Sequence, residues 1–244
     1  MRFFTSDEHY GHRRVIDFCK RPFKDTDEMR EALIAAHNAK VTKGDITYHL
    51  GDIFWRTCPV EEALKILDRL NGQHFLVWGN HDELVANSAK LASRFVKLGD
   101  IFHLDKSSHT PKIVLCHYSM NVWRGSHNGT WHLYGHSHGA LPEPNTLSFD
   151  CGVDASYGFA PWSEIEIAEK MAKKKDAGAC DPLSKQIAEQ PWNKAEGAEV
   201  PYPLLTYPMP PIPQEAWDEL KKSERLTEAA TGSGMSLINR RCVE

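Results

Sequence analysis

Residues 75–82 have the sequence FLVWGNHD, in which four apolar residues are followed directly by Gly79-Asn80-His81-Asp82. A short apolar run of this kind is typical of a buried strand, and glycine with asparagine is typical of the turn that follows one. Polar side chains able to bind a ligand therefore stand at a strand end. Loops in this position commonly carry functional residues, so the segment predicts both a strand and a site.

The same arrangement recurs four more times within the first 138 residues, each time with polar residues after an apolar segment. The four further clusters are Asp7-Glu8-His9, Gly51-Asp52, the lone His117, and Gly135-His136-Ser137-His138. Carboxylate and amide oxygens mixed with imidazole suit a pair of divalent cations. The pattern therefore predicts a two-metal centre that activates water against a phosphate ester.

Strand-like and helix-like segments alternate early in the chain, and strands dominate later. The predicted strands are residues 2–5, 46–50, 75–78, 101–104, 112–116, 131–134 and 147–151, and the predicted helices are residues 26–40, 59–70 and 83–95. We expect Thr26 or Asp27 to cap the first of these helices. This order predicts an α/β sandwich of two mixed β-sheets flanked by helices.

Composition excludes several classes of protein. The net charge of −4 provides no broad basic field, so nucleic acid is a partner that the sequence does not favour. No apolar run approaches the length of a membrane span, and the first residues lack a signal-peptide core. Six scattered cysteines without a C-x-x-C pair do not indicate a disulfide framework. We expect a cytoplasmic protein with no membrane partner.

The five clusters resemble, in order and spacing, the motifs of the calcineurin-like metallophosphoesterases, and in particular small bacterial and phage members. The resemblance covers residues 1–167 and includes Arg21-Pro22-Phe23, Gly152-Val153-Asp154 and Pro161-Trp162-Ser163. It implies a four-layer α/β sandwich of two mixed β-sheets flanked by helices. It also implies a catalytic domain over residues 1–170 that hydrolyses phosphate esters.

The resemblance further implies two overlapping sets of metal ligands. Asp7, His9, Asp52 and His138 would hold one ion, and Asp52, Asn80, His117 and His136 would hold the other. A carboxylate has two oxygens, so Asp52 can bridge two cations. The cofactors expected are two divalent metal ions, Mn²⁺ first, with Fe, Zn²⁺, Ni²⁺ and Co²⁺ left open because these ligands admit all of them.

His81 resembles the histidine of the family that protonates the leaving oxygen, so we assign it and Asp52 as catalytic residues. Many phosphatase relatives place an aspartate three residues after the bridging one to orient this histidine, and here that position is Trp55. Either Asp82 substitutes for it or no carboxylate does.

Substrate recognition is the least determined part of the sequence. Three arginines and one histidine near the ligand clusters are candidates, although each arginine is also typical of an ordinary protein surface. These candidates are Arg13, Arg56, Arg124 and His12.

Composition changes near residue 170, because all 13 histidines lie at or before His138 and six prolines fall between Pro201 and Pro213. Residues 171–244 are predicted to be a Pro-rich, partly flexible extension with one helix near residues 214–229. The extension either docks on the core or binds a protein partner.

Three functions remain open from the sequence. The first is hydrolysis of a phosphate monoester or diester on a small nucleotide-like substrate. The second is a nuclease or nucleic-acid end-processing phosphodiesterase, and the third is a non-catalytic binding module with the same fold.

Overall fold

The computed structural model describes residues 1–142 and 145–179, and this part of the chain contains nine strands and six α-helices. The strands are β1 (Arg2–Thr5), β2 (Ile46–His49), β3 (Gln73–Val77), β4 (Lys97–Gly99), β5 (Ile101–Leu104), β6 (Ile113–Cys116), β7 (Trp131–Tyr134), β8 (Ser148–Asp150) and β9 (Trp162–Ser163). The α-helices are α1 (Arg13–Phe18), α2 (Thr26–Lys40), α3 (Val60–Arg69), α4 (Glu83–Ala86), α5 (Ala89–Ala92) and α6 (Glu164–Asp176).

The strands form two mixed sheets, which confirms the predicted fold class. In the first sheet the order is β4-β3-β2-β1-β9, with β1 to β4 parallel and β9 antiparallel to β1. In the second sheet the order is β5-β6-β7-β8, with β5 antiparallel to β6 and the other neighbours parallel. Because β1, β2 and β3 are parallel, the loops that follow them leave the same edge of the first sheet.

Two groups of buried apolar residues hold these layers together. One fills the space between the sheets, where Phe4 and Leu50 of the first sheet face Leu115 and Leu133 of the second. The other lies between the first sheet and helices α2 and α3, which turn residues such as Leu33 and Leu64 inward. Alternation along each strand sends one set of side chains to each layer.

The predicted helix at residues 83–95 is wrong in one respect, because two short helices, α4 and α5, occupy this segment. The side chain of Ser88 accepts a hydrogen bond from the backbone N–H of Leu91 and so starts the second helix.

The predicted N-cap of α2 is also wrong. The N-cap is Asp25 rather than Thr26 or Asp27, since the Asp25 carboxylate accepts a hydrogen bond from the backbone N–H of Glu28 at 2.8 Å.

Helix α6 was not predicted, although its sequence carries a start signal. Ser163 and Glu166 form a capping box, in which each side chain accepts from the other's backbone N–H. The helix continues to Asp176, beyond the predicted boundary at residue 170. Residues 180–244, with the predicted proline-rich segment and the helix near 214–229, lie outside the described residues.

None of the helices within residues 1–142 and 145–179 is both long and apolar enough to cross a membrane.

Candidate metal centre

The loops that follow β1, β2, β3, β6 and β7 bring the seven predicted metal ligands together. We call these seven residues the ligand cluster: Asp7, His9, Asp52, Asn80, His117, His136 and His138. Ligand atoms of Asp7, His9 and His138 lie within 4.8 Å of one another, and so do those of Asp52, His117 and His136. Each group contains three of the four residues in one of the two ligand sets that the family resemblance implies.

Asp52 stands between the two groups. Its Oδ2 atom is 3.6 Å from Nε2 of His9 and also 3.6 Å from Nε2 of His117, and the residue is buried. Its other oxygen accepts a hydrogen bond from the backbone N–H of His81 at 2.8 Å. One carboxylate therefore reaches both halves of the cluster.

Asp7 is fully buried without a compensating positive side chain bonded to it. Its Oδ2 accepts from the backbone N–H of His136 at 2.9 Å, while Oδ1 has no hydrogen-bond partner among the described residues. Burial raises the pKa of this carboxyl well above its ordinary value. A cation at Oδ1 would restore the charged form, so the residue fits a metal site.

His117 has only one nitrogen free for a ligand. Its Nδ1 donates to the backbone carbonyl of Leu50 at 2.7 Å, so Nε2 carries the lone pair. That Nε2 faces Oδ1 of Asn80 at 3.1 Å and Nδ1 of His136 at 3.2 Å. Burial lowers the pKa of His117, so Nε2 is disfavoured from carrying a proton that it could share with the Asn80 oxygen or the His136 nitrogen. A cation would satisfy all three atoms.

His9 is buried more completely than His138, the other histidine of its group. Burial, reinforced by the positive charge of His138 and Arg21, lowers its pKa to about 2. The imidazole is therefore neutral at ordinary pH and available as a ligand.

A chain of polar contacts behind His138 was not assigned from the sequence. Nδ1 of His138 bonds Oδ2 of Asp154 at 2.7 Å, which leaves Nε2 to face the cluster. Arg21 donates two hydrogen bonds to the Asp154 carboxylate, from Nε at 2.8 Å and from Nη2 at 2.7 Å. It also donates to the backbone carbonyls of Asp7 and Glu8. Such a contact fixes the orientation of a metal-binding imidazole. The Arg21-Pro22-Phe23 and Gly152-Val153-Asp154 segments were the sequence signal.

The charges along this chain of contacts reinforce one another. Burial alone would lower the pKa of His138, but the hydrogen bond that it donates to Asp154 and the negative charge of Asp7 raise it. Burial would likewise raise the pKa of Asp154, and the bonds to His138 and Arg21 outweigh it and lower that pKa. Asp154 is therefore a stable carboxylate partner for the imidazole.

The backbone of the ligand cluster is strained. Five of its members have positive φ angles between 49° and 67°, a region that non-glycine residues rarely adopt. They are Asp7, His9, Asp52, His136 and His138. Each such conformation costs about 1–3 kcal/mol and persists only where the surrounding structure enforces it.

Two glycines allow the loops to approach one another. A Cβ atom on Gly79 would lie 2.2 Å from Oδ1 of Asp52, and one on Gly135 would lie 1.9 Å from the hydroxyl of Ser6. Neither space accepts a methyl group. The glycines in Gly79-Asn80 and Gly135-His136 are therefore required by the packing of ligand loops against each other.

The structure gives different surroundings to Asp82, the carboxylate considered for orienting His81, and to Trp55, which stands where many relatives have the orienting aspartate. Both oxygens of Asp82 are used by backbone N–H groups, those of Asp52, Ile53 and Gly79, at 2.8–3.0 Å. Trp55 instead packs against His81, with ring centroids 4.8 Å apart. An aromatic ring thus contacts the imidazole while Asp82 ties the loops together.

Only two of the four predicted substrate residues lie beside this centre. His12 stacks on Trp55 at 3.7 Å between ring centroids, and the guanidinium of Arg56 lies 5.3 Å from the centre of the Trp55 ring. Arg13 instead pairs with Asp17, one turn along α1, at the exposed surface. Arg124 lines a separate cavity near the start of β6.

The chain is similar to known proteins over the segment that contains the ligand cluster. The model of the calcineurin-like phosphoesterase family matches residues 3–155. An uncharacterized protein of Methanocaldococcus jannaschii is 30% identical over 136 residues, which cover 56% of this chain and 68% of that protein. The crystal structure of a protein of unknown function from Aquifex aeolicus superposes with a TM-score of 0.55 at 23% identity, over 70% of this chain and 98% of that one, and supports the fold.

Proposed function

The chain belongs to the calcineurin-like phosphoesterase family, and we propose on that basis that it holds two divalent cations and hydrolyses a small nucleotide-like phosphoester. The observation that carries the two-cation proposal is the position of Asp52. Its Oδ2 atom is equidistant, at 3.6 Å, from one imidazole of each ligand group. A carboxylate in that position is suited to bridge two cations.

Asp7, His9, Asp52 and His138 would hold one cation, and Asp52, Asn80, His117 and His136 the other. Bound in such a pair of sites, the cations supply an activated water and positive charge against the phosphoryl oxygens. The protein contributes the fixed arrangement. Asp154 and Leu50 each hold one ring nitrogen of a ligand histidine, so the other nitrogen faces the centre.

His81 is proposed to supply the proton that the leaving group needs. Its backbone N–H is tied to Asp52, so the residue is fixed relative to the bridging carboxylate. When the bond from phosphorus to the leaving oxygen breaks, the imidazolium of His81 donates a proton to that oxygen and becomes neutral. Contact with Trp55 limits the orientations that the ring can adopt.

His12, Trp55 and Arg56 form one edge of the centre, and we propose that this edge contacts the substrate. The stacked His12 and Trp55 rings offer an apolar border, and Arg56 offers a planar cation suited to phosphate oxygens.

The state of the cysteines supports the cytoplasm as the compartment of this protein. Within the described residues the free thiols are those of Cys19, Cys58, Cys116 and Cys151.

The experiment is hydrolysis of bis-p-nitrophenyl phosphate and p-nitrophenyl phosphate by metal-stripped protein to which Mn²⁺ is added back. We expect Mn²⁺-dependent turnover, and the preferred ester assigns diesterase or monoesterase activity. Parallel additions of Zn²⁺, Ni²⁺, Co²⁺ and Fe²⁺ rank the metals. Two bound equivalents of metal with no turnover of either ester would contradict the proposal and favour the binding-module function.

A further inference from the structure

A basic cavity lies in the second sheet, apart from the ligand cluster. It has a volume of about 710 Å³ and is bordered by the end of β5, the start of β6 and the loop before β7. Its charged and titratable lining residues are His103, Asp105, Lys106, Lys112, Arg124 and His127. Three permanent cations against one carboxylate give it a local positive charge in a chain whose net charge is −4.

Within the described residues, the three cations of this cavity take no part in ion pairs that hold the fold. Lys106, Lys112 and Arg124 are exposed at the cavity, and none of the three has an ion-pair partner among the residues that the structure describes. In the same part of the chain Arg2, Arg21, Arg30 and Arg69 are all paired with carboxylates. Three unpaired cations around one cavity are therefore available to a ligand.

Both walls of the cavity are held in place. On one side, Trp123 is buried and donates through its indole N–H to the carbonyl of Thr130 at 2.8 Å, and the turn between them closes through Thr130 N to Gly125 O at 3.1 Å. On the other side, Ser107 bonds Thr110 across the β5–β6 turn and donates to Glu164 at 2.9 Å. The cations thus project from anchored segments, which reduces the entropy lost on binding.

The cavity is distinct from the metal centre. Lys112 directly precedes β6 and His117 directly follows it, so the two lie at opposite ends of the same strand. Five steps of extended chain, each about 3.3 Å long, separate them by about 16 Å. No member of the ligand cluster lines the cavity.

We propose that this cavity is a second anion site that binds phosphate groups, with Lys106, Lys112 and Arg124 as the residues that contact them. Lysine and arginine are suited to phosphate oxygens, arginine in a bidentate manner. The same chemistry is offered by the backbone of a single-stranded nucleic acid and by free pyrophosphate. The inference goes beyond the proposed hydrolysis, because binding here requires neither metal nor turnover.

The test compares two charge-matched triple variants of the full-length chain, Lys106→Gln/Lys112→Gln/Arg124→Gln and Lys43→Gln/Lys65→Gln/Lys90→Gln. The control positions are exposed and none of them lines this cavity. Binding of a fluorescein-labelled oligothymidylate is followed by anisotropy across a salt series, and binding of pyrophosphate by calorimetry. Thermal unfolding checks that both variants are folded.

We expect the cavity variant to bind at least about tenfold more weakly than the control. If the nucleic-acid backbone is the source of the phosphates, the slope of log K against log salt should also become shallower by about 2, since each single-strand contact contributes about 0.7. If pyrophosphate binding alone weakens, a free anion is the ligand and the site stands. Equal affinities of the two variants for both probes would overturn the proposal, whatever the hydrolysis assay shows.

Discussion

Two groups of histidines and carboxylates lie close together in this protein and differ in their backbone. One is the ligand cluster. The other, which we call the buried imidazole cluster, consists of Glu8, His37, His49 and His74. Nδ1 of His49 bonds the Glu8 carboxylate at 2.6 Å, and its Nε2 faces Nδ1 of His74 at 3.0 Å. The groups share residue types, so composition alone does not separate them.

The conformations of the two groups do separate them. The three histidines of the buried imidazole cluster come from α2, β2 and β3, and have regular helical or extended backbone. Five of the seven residues in the ligand cluster have positive φ. Within the described residues, no three ligand atoms that include Glu8, His37, His49 or His74 converge as those of the ligand cluster do. Strain retained at converging ligands is typical of a functional site, and regular backbone is typical of a structural network.

The largest effect should come from Asp52→Asn, which acts on the ligand cluster alone. The amide can keep the bond from His81 N, but it then turns an NH₂ group toward His9 and His117 and removes the charge between them. We expect loss of bound metal, measured by mass spectrometry, and loss of hydrolysis of bis-p-nitrophenyl phosphate. Asp68→Asn, at an exposed ion pair, is the control. Turnover retained by pure Asp52→Asn protein would contradict the mechanism.

His81→Ala should separate proton donation from metal binding within the same site. We expect the metal content to stay and kcat to fall by about 10²–10⁴, because a general acid is removed. The loss should be larger for an alkyl ester than for a p-nitrophenyl ester, whose leaving group needs little help from an acid. An equal loss for both esters would argue against the role of His81.

His49→Phe tests whether the buried imidazole cluster supports stability and not metal binding. The change leaves the Glu8 carboxylate buried without its partner, so we expect the free energy of unfolding to fall by about 3 kcal/mol. Urea unfolding measures the effect, and His109→Phe at an exposed turn is the matched control. The folded fraction should still bind metal. Loss of metal at unchanged stability would mean that this cluster belongs to the site.

The smallest of these effects should be the contribution of one buried histidine to the pH dependence of stability. Burial lowers the pKa of His37 to about 4 and that of His74 to about 3. The unfolded chain therefore binds protons below pH 6.5 that the folded chain does not, and stability falls as pH drops from about 6.5 toward 4. At pH 5 each histidine should cost about 2 kcal/mol. His37→Gln should make the dependence of unfolding free energy on pH shallower, and an unchanged slope would refute the assignment.

Much of the fold was predictable because its signals are local. Apolar runs such as residues 131–134 form strands, since buried sheets select that pattern, and all five ligand clusters stand directly after a strand as predicted. Helix α3 likewise follows from acidic residues near its start and the inward face of Ala63, Leu64 and Leu67. The two short helices at residues 83–92 were less predictable, because the Ser88 side chain caps a second helix inside a segment whose apolar pattern predicts one.

The sequence by itself determined the fold class, because strand periodicity is a property of the chain, and its resemblance to a known family singled out the seven residues of the ligand cluster. Tertiary structure alone decided what supports them. Arg21 and Asp154 lie 133 positions apart, and only the packed loops bring them to His138. It also put Trp55 against His81 and placed Arg124 in a basic cavity at the end of β6 opposite to His117. Such contacts depend on loop geometry, for which local propensity carries no signal.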